Sequence, residues 1–126
     1  MTIDDQERKR RGHDAESYIC RKMIERGCQI VERNYSAGKF GEIDIIASYG
    51  SKLLFVEVRA RQADSRFGSP LESISRAKIR KIRNSIKIYL QNNRIMNRFI
   101  SILAAAVYMD SSGQIIDYDI VTVESL

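Results

Sequence analysis

A chain of 126 residues with 44% hydrophobic content is long enough to bury one core and too short for two. Its 21 Lys and Arg outnumber 16 acids, and the excess is local: Ser73 to Met109 contains no Asp or Glu but holds Arg76, Lys78, Arg80, Lys81, Arg83, Lys87, Arg94 and Arg98. Met1 to Arg11 is charged and the longest apolar run, Ile102 to Met109, is far short of a membrane span, so neither a signal peptide nor a bilayer helix is expected, and a cytoplasmic location is.

Residues 1–11 read as a polar, basic arm ahead of one domain over 12–126. From Asp14 to Arg26, Ala15, Tyr18, Ile19 and Met23 recur at helical spacing, and Gly27 supplies a stop. Cys20 and Cys28 are expected as reduced thiols, and with His13 as the one histidine they form no repeated zinc-ligand spacing. Ile30 and Val31 read as a short strand, and Asn34 to Lys39 as a loop. Gly41 to Ser48 and Leu53 to Ala60 then flank Tyr49-Gly50-Ser51-Lys52, two β-rich runs around a Gly-first turn. After a polar loop, Ser69-Pro70-Leu71-Glu72 has the form of a capping box. The helix it announces runs on or restarts near Ser75 and reaches about Gln91, with Ile79, Ile82, Ile86 and Leu90 as its apolar stripe. Ile100 to Tyr108 and Ile115 to Val123 read as two strands joined through Asp110-Ser111-Ser112-Gly113.

If Gly50-Ser51 is a two-residue turn, residues whose numbers sum to 101 face each other. Asp44 then opposes Glu57, Glu42 opposes Arg59 and Ile46 opposes Phe55 on one face, while Ile43, Ile45 and Ala47 meet Val58, Val56 and Leu54 on the other. Two carboxylates with Cβ atoms roughly 5 Å apart repel unless a positive charge lies between them. Mg²⁺ or Mn²⁺ is one solution, held by one or two carboxylates with water and phosphate in its other positions. Spacing alone leaves a second one open, a solvated salt-bridge cluster in which Arg59 and Glu42 neutralise the pair.

The segments Gly41-Glu42-Ile43-Asp44-Ile45-Ile46-Ala47, Phe55-Val56-Glu57-Val58-Arg59-Ala60-Arg61 and Phe67-Gly68-Ser69-Pro70 together resemble the YraN-like family of poorly characterised bacterial proteins. That family is regarded as distantly related to archaeal Holliday junction resolvases among the PD-(D/E)xK nucleases, and the resemblance spans roughly Gly12 to Leu90. It implies an α/β fold with a restriction-endonuclease-like αβββαβ core, a mixed central sheet flanked by helices. Asp44 and Glu57 would be the motif's carboxylates, Arg59 would stand at the position of its Lys, and Glu16 would match the helix-one glutamate that completes the acidic, metal-binding site. On a helical wheel Glu16 falls near Met23, an odd place for an acid without a ligand or a basic partner. Two departures are visible: Arg59 can stabilise phosphorane charge but cannot act as a base, and Ile100 follows Arg98-Phe99 where the family tends to have Asp.

On the basic helix, Arg76, Arg80, Arg83, Lys87 and Arg94 project within an arc of roughly 60° beside the isoleucine stripe. Such a row repels itself and calls for an external anion or for distant acids such as Glu124. With Arg61 and Lys78 it marks a nucleic-acid surface, its partner DNA recognised through backbone and shape. The leading expectation is a Mg²⁺- or Mn²⁺-dependent endonuclease acting on DNA, with branched DNA and a homodimer suggested by analogy with resolvases. The alternatives are a non-catalytic nucleic-acid-binding module that keeps the fold, and a scaffold whose strands at Ile102 to Val107 or Ile115 to Val123 pair with another copy.

Overall fold

The computed structural model describes residues 3–65 and 70–125. Helix α1 spans Asp5–Glu25 and is followed by three strands, β1 Gln29–Ser36, β2 Glu42–Tyr49 and β3 Lys52–Gln62. Helix α2, Arg76–Asn92, then crosses to β4, Phe99–Met109, which turns back into β5, Ile115–Ser125. The sheet order is β1-β2-β3-β4-β5, with β3 and β4 parallel and the other neighbours antiparallel. This is the mixed sheet flanked by helices that the family resemblance implied; the long β3–β4 connection carries the crossover helix that a parallel pair needs.

Each helix covers one face of the sheet. Ala15, Ile19, Cys20 and Met23 of α1 pack with Ile45, Ala47, Leu54, Val56, Ala105 and Val107. Ile82, Ile86 and Tyr89 of α2 pack with Ile43, Ile46, Leu53, Phe55 and Ile102 on the other side. Because both faces are covered, β4 is buried on both and reads as an unbroken apolar run. Cys20 and Cys28 are free thiols.

Four features depart from the sequence reading. Helix α1 begins at Asp5, capped by Asp4, whose Oδ1 accepts from the Glu7 amide at 2.8 Å. Residues 5–11, read as an arm because they are polar, are its first two turns. They are held by Arg11, which is buried and donates to Glu7 and to the Ser111 carbonyl. Strand β1 is longer than expected and takes up Asn34, Tyr35 and Ser36 of the segment read as a loop. Within it Asn34 adopts a φ of 52°, which twists the strand so that Arg33 faces α1 while Tyr35 packs toward α2. Ile43, paired with Tyr35, joins the α2 side rather than the face of Ile45. Finally, Pro70–Ser73 is a short 3-10 turn and α2 starts afresh at Arg76, with Ser75 Oγ capping the Lys78 amide at 3.1 Å. Ser69 and the rest of Phe67-Gly68-Ser69 lie outside the described residues.

Candidate active site

The hairpin register is the derived one: Tyr49 pairs with Lys52, Ile46 with Phe55 and Ile45 with Val56, around a turn in which Gly50 has a φ of 59°. The ladder ends at Ile45–Val56. Beyond that point β2 stays with β1 as far as Glu42, and β3 stays with β4 as far as Gln62. The hairpin therefore opens into a fork, with Asp44 and Glu57 as the first residues past the last rung. Glu42 consequently faces Ser36 and Arg59 faces Ala106, so the expected Glu42–Arg59 pair is not formed. At the fork the Val58 amide donates to Asp44 Oδ2 at 2.8 Å, a side chain standing in for the ladder bond that is lost.

Glu57 is buried, at 7% exposure. Lys78 Nζ and Arg59 Nε approach the same Glu57 Oε1, at 3.6 and 3.5 Å. Burial first, and then the charge of Asp44, push the Glu57 carboxyl up to about 7, against the pull of Lys78 and Arg59. Asp44 is also raised by burial, opposed by the Val58 amide, by Lys78 and by a hydrogen bond with Glu57. The two acids are thus a coupled pair that does not lose both protons readily at neutral pH, although two cations already reach one of them.

Glu16 comes to the pair from α1. Its Oε1 lies 3.7 Å from Arg33 Nη2, yet that oxygen and Arg33 Nε are both buried without a hydrogen bond. Burial, followed by the charge of Asp44, raises the Glu16 carboxyl. Three carboxyl groups, Glu16, Asp44 and Glu57, thus lie among three cations, Arg33, Lys78 and Arg59, and the half-buried Glu16 keeps one oxygen without a hydrogen bond. The donors are all hard oxygens, the chemistry that suits Mg²⁺ or Mn²⁺. Among the described residues no group of three Asp, Glu, His or Cys side chains is gathered closely enough to hold a metal ion. Asp44 and Glu57 would therefore hold one as a pair, with Glu16 standing alongside them.

The basic row divides. Arg76, Arg80 and Lys87 are exposed on α2, but Arg83 makes a paired contact with Glu124 of β5, the neutralising partner that the sequence offered as an alternative. Arg94 lies beyond the helix cap at Asn93, with a φ of 52°, so it is not part of the row. Lys78, read as a phosphate contact, reaches into the fork, 3.6 Å from Glu57 Oε1. Its signal was present in the sequence: the first turn of α2 contains no acid, and a cation there opposes the helix dipole at a cost of about 0.3–1 kcal/mol unless an anion faces it. Arg33 was missed altogether, having been placed near a loop. No helix among the described residues is long and apolar enough to cross a membrane.

Residues 15–123 match the model of the uncharacterised protein family UPF0102, and the YraN-like resemblance read from the sequence corresponds to it. A UPF0102 protein of Moorella thermoacetica is 32% identical over 90% of this chain and 93% of its own length. One from Dictyoglomus turgidum is 33% identical over 86% and 90%, and one from Hahella chejuensis is 44% identical over 68% of each. Among solved structures, SfsA of Pyrococcus furiosus in complex with Ca²⁺ overlaps 94% of this chain at 16% identity and a TM-score of 0.36. The chain spans 63% of that protein, a likeness too distant to carry function.

Proposed function

We propose that this chain, which belongs to the uncharacterised protein family UPF0102, is a metal-dependent nuclease that hydrolyses phosphodiester bonds in DNA at the Asp44–Glu57 fork. The observation that carries this reading is the convergence of Lys78 and Arg59 on one oxygen of the buried Glu57, beside the half-buried Asp44, with both carboxyls raised by burial. A purely structural salt bridge has no need of a second buried acid that pushes its partner toward neutrality.

A divalent ion, when bound there, supplies an activated water and neutralises phosphate charge. The protein's own groups do the rest. The Val58 amide holds the Asp44 carboxylate in one orientation. Arg59, 43% exposed at the side chain, stands on the open side, where its fixed charge can meet a scissile phosphate as negative charge develops. Lys78 brings an ammonium group, able to orient water or share a proton, to a site whose motif carries Arg in place of Lys. Branched DNA and a homodimer belong to this proposal only through the resolvase analogy.

The test is incubation with plasmid, linear and four-way-junction DNA, with and without Mg²⁺ or Mn²⁺, beside Asp44→Asn. Cleavage that needs the metal and Asp44 is expected; its absence on all three substrates defeats the proposal. One observation favours a non-catalytic nucleic-acid-binding module instead: Lys78 and Arg59 already offset the charge of Glu57. DNA binding without turnover on any of the three would select it.

A further inference from the structure

Next to the fork, between the N-terminal half of α1 and the far end of β3, lies a cavity of about 350 Å³. Arg8, Arg11, Arg59 and Arg61 line it together with the apolar Val58 and Met109, and no Asp or Glu is among its lining residues. Arg11 is 7% exposed, its guanidinium clamped by Glu7 and the Ser111 carbonyl, so it is a rigid wall. Arg8 touches Asp5 at 3.7 Å with both side chains mostly in solvent, a contact worth little. Arg61 makes no ion pair among the described residues. Arg11 and Arg59 are balanced by Glu7 and Glu57, which leaves the exposed Arg8 and the half-buried Arg61 as the cations of this concavity that an external anion can engage. The apolar share of the lining asks for a ligand with a flat or apolar part as well, and the volume suits one nucleotide rather than a bare phosphate.

The cavity is joined to the fork by two consecutive residues. Val58 lines it while its amide holds Asp44, and Arg59 lines it while pairing with Glu57. We infer that this groove seats the nucleotide adjoining the scissile phosphate, with Arg8 and Arg61 on its backbone phosphates, so that the substrate strand passes along α1 and the end of β3. This rests on the nuclease reading. It moves the main phosphate footprint off the exposed row of α2, which packs on the opposite face of the sheet and has given up Arg83 to Glu124.

Fluorescence anisotropy of a labelled DNA duplex, measured in EDTA across a salt series, tests this without reading catalysis. The double variant Arg8→Ala with Arg61→Ala, both outside the core, is expected to weaken binding and to lower the slope of log K against log salt by about two, one for each lost phosphate contact. Arg61→Lys with Arg8→Lys should keep most of the slope, and Arg80→Ala with Lys87→Ala should change it less than the groove variant does. An unchanged slope in the groove variant overturns the inference, as does a parent protein that binds no DNA. The two readings fail separately. A parent that binds through the groove but cuts nothing loses the nuclease proposal alone, and one that cuts with groove variants binding normally loses the groove alone.

Discussion

Arg59 and Lys78 approach the same oxygen of Glu57 but predict different losses. If Arg59 stabilises developing charge, Arg59→Lys should keep or raise the cleavage rate and Arg59→Ala should cost roughly 100-fold or more. If it only balances Glu57, Arg59→Ala should cost about 1 kcal/mol of stability or less, because the pair is partly exposed. Cleavage rate and melting temperature measured on the same two variants separate these outcomes. Lys78 holds the Glu57 carboxyl down, so Lys78→Met should raise it and displace the acid limb of the pH–rate profile to higher pH. An unmoved limb would remove Lys78 from the site. Asp44, Glu57 and Arg59 were legible as a motif, and the acid-free first turn of α2 signalled an anion facing Lys78, whereas which anion that is, and the role of Arg33, depend on how α2 and β1 dock, which no local spacing encodes.

At the scale of elements the hairpin is the part most fully written in the sequence. Its Gly-first turn and one apolar face, set against a face that carries Asp44 and Glu57, leave one register, and that register is observed as far as Ile45–Val56. What alternation could not reveal is where the ladder stops, since that depends on β1 and β4 pulling the two strands apart. The fork has its own stability signature. Asp44→Asn keeps an oxygen able to accept from the Val58 amide, while Asp44→Ala leaves that amide without it. The Ala variant should therefore melt below the Asn variant by the equivalent of about 1–3 kcal/mol, with neither able to cleave. Equal melting points would mean that the Val58 contact contributes nothing. The start of α1 was misread for a related reason: charged residues at 5–11 suggested solvent, but the buried Arg11 has its partner in Ser111, 100 residues away in sequence.

For the whole molecule, the acid pair couples folding to pH and metal. Glu57 has an ordinary value of 4.5 and is raised to about 7 in the folded chain. Between those values the folded state retains a proton that the unfolded state has released, so stability should fall as pH rises from about 4.5 to about 7. Asp44, also raised, adds in the same direction. Thermal melts should show this decline in the parent and a shallower one in Glu57→Gln. Mg²⁺ added at pH 8, where the proton is gone, should raise the parent's melting point and leave the Gln variant little changed, because a ligand bound only by the folded state stabilises it. A parent indifferent to Mg²⁺ would argue for a salt-bridge cluster without a metal.

The claim that joins these scales is that the fork of β2 and β3 breaks phosphodiester bonds with a divalent ion held by Asp44 and Glu57. It is met most directly by the rate at which supercoiled plasmid is nicked in Mn²⁺ by the parent, Asp44→Asn and Glu57→Gln, purified side by side and matched for folded fraction. The account predicts nicking by the parent that stops in EDTA, and rates at least about 100-fold lower in both variants. Equal nicking by all three, or none by a folded parent that binds the plasmid, would contradict it.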